Sequence, residues 1–153
     1  MGAGDEDFVL RLYASTRMDE MALVNWSAAQ KESFLQMQFQ AQTVHYRAYY
    51  PHAEHQIIQR DDTTPLGRLI VDRSSDSMLI VDIALLPEYR GAGIGTTIIQ
   101  QLMAEAARTN LLIILRVEFF NPAIKLYSRL GFVKTREIDI YHEMVWQPGS
   151  NHS

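Results

Sequence analysis

The chain has 153 residues, 47% of them hydrophobic and 21% charged, with a formal net charge of −4 and no cysteine. That length fits one domain over 1–153 with an ordinary buried core. The lack of cysteine excludes a disulfide framework, a thiolate metal site and covalent cysteine chemistry. Mild acidity argues against a general nucleic-acid surface. No apolar run reaches membrane-spanning length, and Met1 to Asp7 lacks the basic-then-apolar pattern of a secretory leader. A cytoplasmic protein without membrane or nucleic-acid partners is expected.

In chain order, Phe8–Tyr13 runs apolar and reads as a first strand. Ser15 or Thr16 then caps a short helix through Met21 and Leu23. Ser27 is a good N-cap for a long second helix. There Phe34, Met37, Ala41, Val44 and Ala48, with Leu35 and Phe39 beside them, keep the helical period until Pro51 stops it. A hairpin follows: Glu54–Arg60, a polar turn at Asp61-Asp62-Thr63-Thr64, then Leu66–Asp72.

After a turn at 74–76, Met78–Leu86 is nearly all apolar, the mark of a strand covered on both faces. Ile98, Ile99, Leu102, Met103 and Ala106 put one greasy face on the next helix. Leu111–Val117 is another buried strand, and the helix between makes the two strands parallel neighbours with a right-handed crossover. A short helix over 122–130 has Asn121 at its cap, Pro122 at its first position and Gly131 just past its end. Phe132–Arg136 and Ile140–Trp146 close the chain as an antiparallel pair, and the core spans 7–147 ahead of a mobile tail at 148–153. The class is mixed α/β.

The segment Leu85-Leu86-Pro87-Glu88-Tyr89-Arg90-Gly91-Ala92-Gly93-Ile94-Gly95-Thr96 carries the most chemistry. A glycine-spaced loop that opens a helix leaves backbone N–H groups unpaired at the positive end of the helix dipole, a site for a phosphate-bearing ligand. No Lys-Ser or Lys-Thr follows the glycines, which disfavours a P-loop. A dinucleotide fingerprint fails too, because Thr96 stands where its third glycine belongs.

A third pattern fits: Arg90, Gly93 and Gly95 in a Leu-Pro-Glu-Tyr context, followed downstream by Asn121-Pro122-Ala123-Ile124-Lys125-Leu126-Tyr127-Ser128-Arg129-Leu130-Gly131-Phe132. Together these segments resemble the acyl-CoA loop and closing helix of the GNAT N-acetyltransferase superfamily, over roughly Met78–Phe132. The resemblance implies a central mixed sheet of about seven strands with four helices. It implies transfer of an acetyl group from acetyl-CoA to a primary amine, by direct attack in a ternary complex. A non-catalytic acyl-CoA-binding module, or a different acyl group or acceptor, are the alternatives.

By the same resemblance, the amides of Gly91, Ala92, Gly93, Ile94, Gly95 and Thr96 cradle the coenzyme A pyrophosphate, and Arg90 adds charge or shapes the loop. Ile83, Ala84 and Leu85 pair with the pantetheine arm, and a backbone N–H there, that of Leu85, polarises the thioester carbonyl. Tyr127 matches the family's general acid, aimed at the coenzyme sulfur. Asn121 stands two residues before Ala123 rather than the family's usual three, so it serves as helix cap and faces the coenzyme arm.

The candidates for the general base are Glu118, at the end of the second buried strand, and Asp82, an acid inside an apolar run that must be paired, hydrogen-bonded or poised; water, or an acceptor that arrives already neutral, is the alternative to both. The acceptor, a small-molecule or peptide amine, enters against the first two helices and the last hairpin. Trp26, Gln38, Gln42, His45, Tyr46, Tyr141 and His142 are its candidate lining, with Gln38, Gln42 and His45 on one helical face. The five histidines show no metal-ligand spacing, so no metal is expected. Monomer and homodimer both stay open.

Overall fold

Phe8, Val9, Leu12 and Tyr13 fall at i, i+1, i+4 and i+5, the spacing of one helix face, and that period prevails over their apolar run. The computed structural model, which describes residues 5–60 and 64–149, makes this segment the helix α1 (Asp5–Thr16), not the expected strand. All four side chains are buried, from 1% exposure at Leu12 to 7% at Phe8, whereas Arg11 on the other side is exposed. Each such burial stabilises the fold by roughly 1.5–3 kcal/mol. A strand would have sent Phe8 and Val9 to opposite faces.

The elements that follow are α2 (Met18–Ala22), α3 (Ala28–Tyr49), β1 (Glu54–Gln59), β2 (Pro65–Arg73), β3 (Ser77–Leu85), a 3-10 turn (Pro87–Tyr89), α4 (Ile94–Thr109), β4 (Leu112–Glu118), α5 (Ala123–Arg129), β5 (Val133–Ile138) and β6 (Tyr141–Trp146). The strands form a six-stranded sheet in the order β1-β2-β3-β4-β6-β5. Six replace the expected seven because the first is helical. Ser15 and Thr16 do not cap α2: their hydroxyls donate back to the carbonyls of Leu12 and Tyr13, at 2.6 and 2.7 Å, and so finish α1. Pro148 and Gly149 make a turn, while the remainder of the expected mobile tail and most of the Asp61–Thr64 turn lie outside the described residues. No helix among the described residues is long and apolar enough to cross a membrane.

Two compact units share the chain, one taking it as far as Ile70 and again Asp82–Arg90, the other Val71–Val81 and the chain from Gly91 on. In the first, Phe8, Val9, Leu12 and Leu86 form a buried cluster with Phe39, Ile57, Ala84 and Tyr89 packed against it. Ser27 caps α3 as expected, within a capping box: Gln30 N donates to its hydroxyl at 3.2 Å and Ser27 N to Gln30 Oε1 at 2.9 Å. Mid-strand Gly67 lets two backbones approach. A Cβ there would overlap the carbonyl oxygen of Ala84 and lie 2.9 Å from Leu85 Cδ2.

In the second unit β3 pairs parallel with β4, as expected of strands joined by a helix, from Ser77↔Leu112 to Ile80↔Leu115. β4 and β5 each pair antiparallel with β6. Met78, Ile80, Ile99, Leu102, Ala106, Ile113, Leu115, Phe132 and Met144 are among its buried side chains. Arg73 grips Glu105 of α4 with two hydrogen bonds, Nε to Oε2 at 2.6 Å and Nη2 to Oε1 at 2.9 Å. That grip holds the Glu105 carboxyl below its ordinary range.

Candidate active site

The N-terminus of α4 is built to stay open. Gly91 and Gly93 adopt φ of +78° and +83°, a left-handed conformation that suits glycine and strains other residues. Gly93 is the N-cap and supplies no side-chain bond to the helix. The first helical bond runs from Thr97 N to Gly93 O at 3.0 Å, so the N–H groups of Ile94, Gly95 and Thr96 precede the ladder. A Cβ placed on Gly91, Gly93 or Gly95 meets nothing within 4 Å. The turn is thus open where side chains would stand, and a helix of 16 residues starts there, with the positive end of its dipole at these amides.

In the same unit, Asn121 Oδ1 accepts from Ala123 N at 2.9 Å, so the asparagine caps α5 as anticipated, with Pro122 at the N-cap rather than inside the helix. Gly131 closes the helix at φ +103°. Tyr127 is half-buried on α5, its ring centroid 5.9 Å from that of Phe132. Its carbonyl accepts from Phe132 N at 3.0 Å, which turns the chain back over the ring. Glu118 ends β4, half-buried and in register with Tyr141, and the preceding pair is Val117↔His142. His142 Nε2 lies 3.8 Å from Glu137 Oε1.

The other unit holds the remaining candidates. Past Ile80, β3 carries Asp82, Ile83, Ala84 and Leu85, all half-buried. Arg90 Nε donates to Leu85 O at 3.0 Å and closes the Leu-Pro-Glu-Tyr turn between them, so Arg90 shapes the loop's approach. Asp82 is paired. Arg68 of β2, 5% exposed, donates to Asp82 Oδ2 from Nε at 2.9 Å and also from Nη2, and Nη2 reaches Gln42 Oε1 of α3 at 3.2 Å. His55 of β1 stands in the field of this cluster. Burial first, then the Arg68 and Arg47 charges, push its imidazole below the ordinary value, with Asp82 opposing.

Of the expected acceptor residues, Gln42 thus joins Asp82 through Arg68, and Gln38 Oε1 accepts from the Tyr13 hydroxyl at 3.4 Å. His45, on the exposed flank, stacks 4.5 Å from Tyr49. Tyr46 lies 6.4 Å from Tyr50, and Trp26 packs edge-on at 5.1 Å from Phe34. Arg68, Gly67 and His55 were not singled out from the sequence. Arg68 carries the signal that flagged Asp82, a charge inside an apolar strand, and Gly67 that of a lone glycine in a strand interior.

The family profile described as acetyltransferase (GNAT) domain matches residues 52–134, more than half of the chain and inclusive of the loop and of α5. The chain belongs to the GNAT acetyltransferase family. The GNAT fold is shared over nearly the full length with PaiA N-acetyltransferase from Thermoplasma acidophilum in complex with coenzyme A: TM-score 0.69, 15% identity, 96% of this chain and 95% of that one. A spermidine N-acetyltransferase SpeG chimera from Vibrio cholerae and hSSAT aligns with TM-score 0.61 and 19% identity, over 96% and 93%. A GNAT acetyltransferase from Elizabethkingia anophelis with acetyl-CoA bound aligns with TM-score 0.57 and 12% identity, over 69% and 82%. No curated protein matches the chain by sequence. As a member of that family the chain is an acyltransferase.

Proposed function

We propose that the chain moves an acetyl group from acetyl-CoA to a primary amine of a small-molecule or peptide acceptor, by direct attack within a ternary complex. The observation that carries this is the open glycine turn at the positive end of α4, where a Cβ on Gly91, Gly93 or Gly95 meets nothing within 4 Å. Two left-handed glycines and an N-cap without a side-chain bond fit a diphosphate, which any Cβ there would crowd. Ile83, Ala84 and Leu85, beyond the last registered β3–β4 pair, would offer backbone to the pantetheine arm, and the Leu85 N–H is the donor that would polarise the thioester carbonyl. Asn121, which caps α5, would also contact the coenzyme arm.

The acceptor nitrogen attacks the carbonyl carbon, Glu118 takes the amine proton, and the Tyr127 hydroxyl protonates the departing thiolate. What supports Glu118 over Asp82 is that the Asp82 carboxylate is committed to Arg68. An amine acceptor agrees with the fold's presence in a spermidine N-acetyltransferase. Trp26, Gln38, Gln42, His45, Tyr46, Tyr141 and His142 remain the proposed acceptor lining.

Calorimetry with acetyl-CoA, followed by mass spectrometry of an amine panel, tests the reading. The expected result is saturable heat and one amine that gains an acetyl unit. No heat from CoA or acetyl-CoA overturns the reading; heat without acetylation of any amine leaves an acyl-CoA-binding protein.

A further inference from the structure

Arg68 holds Asp82 by one oxygen only. A guanidinium facing a carboxylate commonly lays two nitrogens on two oxygens, as Arg73 does with Glu105 and Arg136 with Glu143. On Asp82 both contacts, from Nε at 2.9 Å and from Nη2, fall on Oδ2. Oδ1 takes no bond among the described residues, and 22% of the Asp82 side chain is exposed. The arrangement forgoes a second charge-assisted bond beside a cation that is itself only 5% exposed. A buried pair adds little to stability by itself. What this one does is hold a carboxylate in place with an oxygen free.

The same guanidinium fixes Gln42. Arginine only donates, so the bond at 3.2 Å requires Gln42 to turn Oε1 towards Nη2 and its Nε2 away. Nε2 has no partner among the described residues, and neither it nor Oδ1 is sealed from solvent. One cation thus clasps a carboxylate and an amide and leaves free one acceptor, Asp82 Oδ1, and one donor, Gln42 Nε2. Together they complement a secondary amide, whose N–H donates and whose C=O accepts. Gln38, one turn earlier on the same half-buried flank of α3, repeats the pattern. Arg17 Nε donates to the Tyr13 hydroxyl and that hydroxyl to Gln38 Oε1, both at 3.4 Å, which leaves Gln38 Nε2 as a second donor. A helical turn of about 5.4 Å comes near the ~6.8 Å between alternate carbonyls of an extended chain.

We propose that the acceptor is a peptide amine, and that Asp82 Oδ1 and Gln42 Nε2 bind one of its backbone amide groups. The proposal rests on the amine acetylation set out above. Asp82 stands three residues before Leu85 on β3, about 10 Å along the strand from the N–H assigned to the thioester carbonyl. An extended peptide advances about 3.4 Å per residue, so the amide two or three residues from the attacking nitrogen falls at that distance. A polyamine fits worse. It carries donors only and leaves Gln42 Nε2 facing a cation. The Arg68 and Arg47 charges, which already hold the His55 imidazole below its ordinary value, also oppose a second ammonium.

Trialanine amide and spermidine, both primary amines, separate the two chemistries. With acetyl-CoA, wild-type kcat/KM is expected to favour trialanine amide by about tenfold or more. Gln42→Glu keeps an oxygen for Arg68 but replaces the donor with a second carboxylate oxygen. It is expected to lower kcat/KM for trialanine amide about 10–100-fold and to raise it for spermidine, whereas a merely structural role would lower both alike. Binding is read separately, in the nitrogen-15-labelled full chain with and without CoA. Trialanine amide is expected to shift the Gln42 side-chain amide signals, known by their absence from Gln42→Met, in a saturable way. A wild type that favours spermidine overturns the inference and leaves amine acetylation standing, as does an unchanged preference in Gln42→Glu. If no amine is acetylated, the proposed function fails and the amide signals decide alone. Their staying in place up to about 10 mM peptide overturns the inference.

Discussion

Arg68 and Asp82 meet across β2 and β3, with both guanidinium contacts converging on the single oxygen Oδ2. Taking one partner away strands a charge. Asp82→Asn keeps the shape but leaves the buried Arg68 cation without its counter-charge, and a loss of about 3 kcal/mol is expected. Urea unfolding measures it. A loss under about 1 kcal/mol would mean that the pair is solvated and contributes as little as an exposed one. If Glu118 is the proton acceptor, kcat of the folded Asp82→Asn enzyme stays within about tenfold of wild type.

Gly67→Ala tests a contact visible only in three dimensions. Its Cβ would strike backbone at Ala84, which cannot rotate away as a side chain could. A destabilisation of about 1–3 kcal/mol is expected, even though alanine is the smaller perturbation by any hydrophobicity scale. A thermal midpoint equal to wild type would show that the two strands part at no cost.

Gly93→Val combines two penalties. The backbone at φ +83° strains a β-branched residue by about 1–2 kcal/mol, and the new side chain fills the open position at the N-cap of α4. The expected outcome is a folded protein that gives no calorimetric signal with CoA. Wild-type affinity in that variant would place the pyrophosphate elsewhere.

Tyr127→Phe removes the phenol and keeps the ring that packs on Phe132. Turnover is expected to fall about 10²–10⁴-fold with CoA affinity nearly unchanged. Equal kcat in the two proteins eliminates Tyr127 as the acid. Glu118→Gln is expected to lower kcat at neutral pH by a similar factor.

His55 makes stability depend on pH. Its folded pKa lies below the ordinary 6.5, through burial and the Arg68 and Arg47 charges. Above that value both folded and unfolded imidazoles are neutral, so the full stability is present. As pH falls through it the unfolded chain takes the proton first, and stability drops until the folded imidazole also titrates. Urea midpoints at mildly acid and mildly alkaline pH should therefore differ more for wild type than for His55→Gln. A difference of the same size in both would assign the effect to other groups.

Much of this was legible in one dimension. Ser27 and Asn121 announce their caps, Gly131 its helix end, and the glycines of 91–95 their loop, because each effect is local: a backbone angle or a bond spanning a few residues. The apolar periods of α4 and β4 located a crossover for the same reason. Phe8–Tyr13 misled because a short apolar run fits either period until its packing partners exist.

What folding alone decided lies between distant positions. Asp82 reads from sequence as a lone acid that needs a partner; only the adjacency of β2 and β3 names Arg68, and only the rotation of α3 adds Gln42. That same rotation sends the greasy side of α3 outward, against what its amphipathic pattern suggests. Spacing along a chain tells which residues share a face. It says nothing of which face meets the rest of the protein, because that is a competition among all the surfaces available for burial.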